Sequence, residues 1–324
     1  MNPTWVDLKG VDSVPETVHH VVYRVDPAHD SILLEQAVTP SITDGVYDPT
    51  LGGIIQKDIL SESIKAIKQQ VLLKIIDKFN MSQCMIFCRT NVDCDNLETF
   101  LCNVGGGRKF IEKQESGKEH QYSCCVLGGM RSMQERRRNL DAFRDGSVRF
   151  LICTDVAARG IDIQGLPYMI NMTLPDEPEH YIHRIGRVGR ADRMGLAISI
   201  VATDDIQEKV WYHTCGNRGK GCFNRKLKQD GGCTIWYNES SILQAVKTRL
   251  HMDDIPMLKS TFDLPPELAA HGVVYGEEAS SATTTTGNSE HLKSIVATVK
   301  ELAAMEFDAQ NIFLTFQSQF LRTV

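Results

Sequence analysis

The sequence lacks an apolar run long enough to cross a membrane, and it lacks an excess of positive charge. Its longest apolar stretch, residues 195–202, is far shorter than the about 20 residues that a membrane-spanning helix needs. The N-terminal residues MNPTWVDLKG contain no apolar signal core, so we expect no secretory signal. The net charge of −6 argues against a globally basic nucleic-acid-binding protein. The composition, 42% hydrophobic and 23% charged, is typical of a soluble globular protein.

The cysteines do not indicate an extracellular disulfide framework, although the chain has ten of them. Half of them lie inside apolar, strand-like runs, namely Cys84, Cys88, Cys124, Cys125 and Cys153. Free cysteine is commonly buried in such runs. This usage favours a reducing compartment, the cytosol or the nucleus.

Lysine is absent from residues 131–193, where eleven arginines stand among nine acidic residues. This region therefore carries a net charge of +2, and the rest of the chain carries −8. Arginine is preferred over lysine where planar, bidentate contact with phosphate or carboxylate is needed. The stretch YIHRIGRVGRADR at 181–193 places four arginines around two glycines that disfavour a regular helix. The pattern indicates either an anion-binding site or a set of surface ion pairs.

Apolar, strand-like runs alternate with amphipathic helices along most of the chain. Predicted strands cover residues 17–26, 84–88, 121–127, 148–154, 168–174 and 196–202, with a further strand at 233–237 and a helix at 240–251. The earlier runs are almost continuously apolar, so we expect strands buried on both faces of a mainly parallel sheet between layers of helices. Ligands of such sheets bind at the carboxyl ends of the strands.

Three predicted helices carry capping candidates at their N-termini. These are Ser61 for a helix over 61–79, Asn91 for the next helix, and Ser132 with Glu135 as a capping box for the third. Residues 27–57 are rich in proline and glycine, and they are predicted to form a long loop.

Five short motifs follow one another in the core of the chain. They are MIFCRT (85–90), QERR (134–137), FRDG (143–146), TDVAARGID (154–162) and HRIGRVGR (183–190). In type, order and approximate spacing they resemble the second RecA-like lobe of the DEAD-box ATP-dependent RNA helicases, over roughly residues 14–205. The resemblance implies an α/β fold: a RecA-like three-layer sandwich with a mainly parallel central sheet, here followed by a C-terminal extension.

The resemblance assigns four residues to ATP. Arg187 and Arg190 match the two arginines that contact the γ-phosphate in the family, and His183 matches a histidine thought to couple the nucleotide site to the other lobe. An arginine finger of this kind can contribute about 10³–10⁵ in rate. Asp162 matches a carboxylate that contacts the ribose. For His183 an ordinary surface residue is the alternative, and for Asp162 a helix or loop cap.

The resemblance also assigns residues to the RNA backbone, which the family contacts largely independently of sequence. Thr154, Gln134 and Arg137 are the principal candidates, and Arg89 is a weaker one. Gln134 and Arg137 are three residues apart, so they reach the same helix face. Arg159 matches a motif arginine that either contacts phosphate or forms an ion pair between lobes. Arg184 points away from these and is expected to be structural.

The sequence departs from the family by what is missing. It contains no G-x-x-x-x-G-K-[ST] phosphate loop and no DEAD tetrapeptide. We therefore expect Mg²⁺ and most of the ATP to be held by a first RecA-like lobe that this chain lacks, and we expect the chain alone to be inactive. After the third strand the chain reads Leu127-Gly128-Gly129-Met130, without the histidine and the acid that flank a glycine in the family, which puts one expected contact in doubt.

Two stretches after the core narrow the resemblance. EKVWYHTCGNRGKGC (208–222) and GGCTIWYNE (231–239) are similar to the subgroup typified by DEAD-box protein one. That similarity implies RNA processing, association with the tRNA-splicing ligase complex, and a location in nucleus and cytoplasm. The predicted organisation is a linker from the missing first lobe at 1–13, a helicase C-terminal domain at 14–205 with loop insertions at 27–57 and 104–120, a Cys-containing extension at 206–279, and a flexible linker with a helical tail at 280–324.

A possible metal site lies in the extension. His213, Cys215, Cys222 and Cys233 have the spacing H-x-C, x₆, x₁₀, which is not that of a C-x₂-C knuckle. We therefore predict no metal ligands and interpret them as ordinary thiols and an ordinary histidine, with a zinc site as the alternative.

The sequence predicts the C-terminal lobe of an ATP-dependent RNA helicase. The alternative is a non-catalytic RNA-binding or scaffold protein built on the same lobe.

Overall fold

The computed structural model describes residues 17–36, 44–47, 56–106, 120–189, 193–204, 206–216, 222–269 and 273–276. The chain divides into two compact units, Met1–Glu278 and Ala279–Val324. The second unit lies wholly outside the described residues, and so do the linker and helical tail predicted there. No described helix is both long and apolar enough to span a bilayer.

A six-stranded sheet forms the centre of the first unit. Its strands are β1 (Val18–Val25), β2 (Cys84–Phe87), β3 (Cys124–Leu127), β4 (Phe150–Cys153), β5 (Tyr168–Asn171) and β6 (Gly195–Ala202). They are ordered β1-β6-β5-β2-β4-β3, and every neighbouring pair is parallel. The inner strands are buried throughout, as their continuous apolar runs require. The predicted parallel sheet is confirmed.

Helices cover both faces of this sheet. They are α1 (Ser31–Gln36), α2 (Gln56–Lys78), α3 (Asn91–Val104), α4 (Met133–Arg144), α5 (Asp155–Ala158), α6 (Pro178–Ile185), α7 (Glu239–Leu250) and α8 (Pro266–Ala269). Buried residues of α4, α6 and α7 share one apolar core with alternate residues of the strands. The other side is covered by α2, against β1 and β6, and by α3, against β3 and β4. The result is the three-layer α/β sandwich that the motifs imply.

Two of the predicted helix caps are wrong. Ser61 does not cap α2, which begins at Gln56; its hydroxyl is buried and accepts a hydrogen bond from the Lys209 amide at 2.7 Å. Thr90, not Asn91, caps α3, because its hydroxyl and Asp93 form a reciprocal capping box.

The predicted loop over 27–57 contains α1 and the start of α2, while part of it lies outside the described residues. Most of the loop predicted at 104–120 also lies outside them. The Ser132–Glu135 capping box of α4 is present as predicted.

An antiparallel hairpin follows the sheet, formed by β7 (Glu208–Trp211) and β8 (Thr234–Tyr237). A buried charged cluster ties this hairpin to α2. The Lys68 ammonium lies 2.5 Å from Glu208 and 2.7 Å from Glu239, and all three side chains are almost fully buried. Burial alone would lower the pKa of Lys68, but the two carboxylates raise it overall, so the ammonium stays charged. The extension is therefore packed into the same unit as the sheet.

Candidate nucleotide and RNA interface

A cleft of about 260 Å³ opens at the carboxyl ends of the central strands. Its walls come from the segment after β4 and from α6, and it is lined by Phe87, Asp155, Ala158, Arg159, Gly160, His180, His183, Arg184 and Arg187. This edge of the sheet is where ligands of open α/β folds bind. The motifs TDVAARGID and HRIGRVGR thus meet at one place although they are distant in sequence.

Arg184 forms the floor of the cleft. Its side chain is 2% exposed, and it pairs with both oxygens of Asp155 at 2.6 and 2.7 Å. The same guanidinium donates to Asn171 Oδ1 at 2.7 Å and to the Thr173 carbonyl at 2.8 Å, and it lies over the Phe87 ring. These contacts join the ends of β2, β4 and β5, which is the structural role expected of Arg184.

Arg187 lies in the turn directly after α6. Its guanidinium donates to the Ile161 carbonyl at 2.5 Å and lines the cleft from a half-buried position. The turn is closed by hydrogen bonds between Leu166 and the backbone of residues 187 and 189. Gly189 has φ +62°, and a Cβ there would lie 3.1–3.2 Å from Val18 Cγ2 and two carbonyl oxygens, so glycine is required. The second candidate finger, Arg190, lies outside the described residues.

Of the remaining ATP candidates, His183 lies in the cleft wall and Asp162 does not. His183 lines the cleft, with its ring 6.3 Å from that of His180 on the same helix. Arg159 lies opposite and donates to His180 Nε2 at 2.7 Å. Asp162 is exposed and is not among the residues of the cleft wall, and its backbone carbonyl accepts a hydrogen bond from Arg144 at 2.7 Å. Its ribose contact stays a prediction.

The cleft is positively charged. Its wall contains three arginines and a single carboxylate, Asp155, which Arg184 already neutralises. Arg159 and Arg187 therefore leave an excess of positive charge, and the two histidines can add donors. This combination suits a phosphate group better than a cation or an apolar ligand.

The RNA candidates lie along the same edge of the sheet. Thr154 directly follows β4, Arg89 follows the neighbouring β2, and α4 begins soon after β3, the other neighbour of β4. The side chains of Gln134 and Arg137 are exposed on α4. Thr154 is nearly buried, and its hydroxyl caps α5 by accepting from the Ala157 amide at 3.4 Å.

Arg89 is the least available of these candidates. It forms an ion pair with Asp176, and its guanidinium lies 4.3 Å from the centre of the Tyr237 ring. Burial would lower its pKa, but Asp176 raises it overall, so the charge is retained. To contact RNA, Arg89 would have to break its ion pair with Asp176 or bind phosphate while keeping that pair.

Sequence reasoning gave no role to Phe87, Asp155 and His180, which also line the cleft. Asp155 stands inside the TDVAARGID motif, and His180 is three residues before His183 in one helix, so spacing could have found both. Phe87 stands in the MIFCRT motif, but as an apolar strand residue it gave no sign of a place in the cleft wall.

The parallel sheet, the motif order and the arginine-rich cleft define a RecA-like helicase C-terminal lobe. Residues 67–192 match the family model described as "Helicase conserved C-terminal domain". The chain is 49% identical over 317 residues to ATP-dependent RNA helicase DDX1 of Xenopus laevis, covering 96% of this chain and 41% of the relative. It is 41% identical to ATP-dependent RNA helicase Ddx1 of Drosophila virilis, covering 96% of this chain and 76% of that sequence.

The chain belongs to the DEAD-box ATP-dependent RNA helicase family, in the Ddx1 group. It spans about two fifths of the length of the Xenopus relative. Among solved structures, it is similar to Saccharomyces cerevisiae Dbp5 bound to RNA and ADP BeF3, with 28% identity, a TM-score of 0.41, and coverage of 60% of this chain and 38% of that one.

Proposed function

We propose that this lobe completes the ATP site of an RNA helicase when it closes against a first RecA-like lobe. The carrying observation is the positively charged cleft that Arg187 shares with His183 and Arg159. ATP fits these residues because their excess positive charge is not consumed by the one carboxylate of the wall. The names of the relatives, ATP-dependent RNA helicases, support the same reaction.

The residues assigned to ATP and the pair that holds the cleft wall have distinct tasks in this proposal. Bound ATP supplies the γ-phosphoryl group that is transferred to water, with Mg²⁺ held mainly by the first lobe. Arg187, with Arg190, stabilises the negative charge that develops on the γ-phosphate. His183 couples the cleft to the first lobe, and Asp162 hydrogen-bonds the ribose. Arg184 and Asp155 hold the wall in position.

RNA binds along the edge formed by β2, β4 and β3. Thr154, Gln134, Arg137 and Arg159 contact backbone phosphates, and Arg89 joins them if it leaves Asp176. Backbone contact explains how one surface serves many sequences. Closure of the two lobes then distorts the duplex.

An exposed pair on α4 offers a direct test of RNA binding. Arg137→Ala is expected to weaken single-stranded RNA binding about 3- to 10-fold, and to lower the slope of log affinity against log salt by about 0.7, because one phosphate contact is lost. Gln134→Ala should weaken binding without changing the slope. Affinities are measured by fluorescence anisotropy across a salt series in the two-lobe enzyme described below.

Arg136→Ala is the matched control, since helix geometry turns this residue to the side opposite Gln134. Equal losses in Arg136→Ala and Arg137→Ala would mean that only general charge matters, and the proposed contact face would be wrong.

The function itself is tested by RNA-stimulated ATP turnover. The chain is assayed alone and after a DEAD-box first lobe has been joined to its N-terminus. The proposal is supported if the chain by itself shows no ATP turnover and the joined two-lobe protein shows RNA-dependent turnover. Silence in both forms favours the alternative, a non-catalytic RNA-binding or scaffold protein. We further propose work in RNA processing, in nucleus and cytoplasm, with the tRNA-splicing ligase complex as partner.

A further inference from the structure

The extension contains a cluster of soft ligands far apart in sequence. His213, Cys215, Cys222 and Cys233 each offer one ligand atom, and these atoms all lie within 4.8 Å of one another. The irregular spacing had favoured ordinary thiols, so the convergence is a finding of the fold. From this geometry we infer that the four side chains form a structural zinc site.

The interatomic distances suit a tetrahedral zinc ion. The sulfur atoms of Cys222 and Cys233 are 3.8 Å apart. Zinc–sulfur bonds of about 2.3 Å in tetrahedral geometry place two sulfurs about 3.8 Å apart, whereas a disulfide needs about 2.05 Å. None of the described cysteines forms a disulfide bond.

The histidine has a buried nitrogen that the protein does not satisfy. His213 Nδ1 is buried and has no hydrogen-bond partner among the described residues. Its ring stacks on Trp211, with centroids 4.8 Å apart and planes at 12°, and the Trp211 indole donates to the Asp44 carbonyl at 2.7 Å. The imidazole is thus held in place while one polar atom stays unpaired, a costly arrangement that a nearby cation would relieve.

The backbone is built to bring the ligands together. The Cys233 amide donates to Asn224 at 3.0 Å, and its carbonyl accepts from Tyr212 at 2.7 Å, so three segments meet at this residue. Gly232 permits the approach, since a Cβ there would lie 1.8 Å from the Lys226 carbonyl oxygen. A bound ion would stabilise the close approach of these segments.

The apolar cluster around the four ligands is small. It consists of Val46, Trp211 and Cys233, with Tyr47, Cys215 and Cys222 packed against them. The hairpin packs on α2, and a closed four-ligand zinc site would in addition stabilise the segments that carry the ligands. Three thiolates and one imidazole select zinc over magnesium or calcium. The ion would also fix β8, whose Tyr237 stacks on Arg89.

Metal analysis of the full chain tests the site. The protein is purified without chelators from cells supplied with zinc, and zinc per chain is measured by plasma mass spectrometry together with free thiols. We expect about one zinc per chain. Cys222→Ser and Cys233→Ala are expected to fall well below one, while Cys102→Ala, a buried cysteine outside the cluster, should keep its zinc.

Cobalt substitution keeps the test valid if a variant does not fold. Exchange of zinc for Co²⁺ in the unmodified chain should give thiolate-to-cobalt charge transfer and the strong visible absorption of tetrahedral cobalt. Absence of zinc from the unmodified chain, a Cys222–Cys233 disulfide in its place, or unchanged zinc in both ligand variants would overturn the assignment.

Discussion

Replacing Arg187 by alanine in the two-lobe enzyme is expected to lower RNA-stimulated ATP turnover by at least about 10². Its guanidinium faces the cleft, and the described contact that it makes is with a backbone carbonyl at Ile161. The remaining N–H groups can therefore turn to the γ-phosphate when the lobes close. Because the contact forms only as charge develops on that phosphate, turnover should fall more than the affinity for ATP.

Arg187→Lys separates geometry from charge. Lysine keeps the positive charge but loses the planar fork, so it should recover only a small part of the lost turnover. Arg136→Ala removes an arginine outside the cleft and should leave turnover close to normal. Near-normal turnover in Arg187→Ala would show that this residue is not an arginine finger.

Much of the fold could be predicted because it depends on local pattern. The continuous apolar runs around Ile86, Ile152 and Ile170 are typical of strands buried on both faces, and the parallel sheet was predicted from them. The capping box of Ser132 and Glu135 could be predicted for the same reason, since its partners are three residues apart.

The prediction for Ser61 failed because the partner of its hydroxyl is distant in sequence. Serine is a common N-cap residue, but Ser61 lies inside α2 and its hydroxyl accepts a hydrogen bond from the Lys209 amide. The spacing of His213 and the three cysteines favours ordinary thiols, because spacing alone does not show that their ligand atoms lie within 4.8 Å of one another. Local patterns cannot show either arrangement.

The sequence predicts which arginines belong to the cleft but not how each of them is buried there. Its arginines stand in motifs, so their presence was clear from the sequence, whereas their different roles depend on burial. Arg184 and Arg187 are one helical turn apart in a single motif. One is sealed beneath the cleft with four polar partners on Asp155, Asn171 and Thr173, and the other lines the cleft.

This difference predicts opposite behaviour in unfolding experiments. Arg184→Ala is expected to lower the free energy of unfolding by about 3–5 kcal/mol, because it leaves Asp155 without its counter-charge and removes the donor to Asn171 Oδ1 and the Thr173 carbonyl. Arg187→Ala should lower it by less than about 1 kcal/mol, as a half-buried group with one backbone contact. Both values come from urea unfolding of the chain, monitored by circular dichroism.

Turnover alone cannot distinguish the two arginines, since a destabilised lobe also loses activity. The unfolding data can distinguish them. Loss of an arginine finger lowers turnover without lowering the free energy of unfolding, whereas loss of the buried Arg184 lowers the free energy of unfolding directly. Arg184→Lys should remain strongly destabilised, as one ammonium cannot replace the bidentate pair with Asp155 and also reach Asn171. A loss below about 1 kcal/mol in Arg184→Ala would mean that the strand ends are held together without this guanidinium.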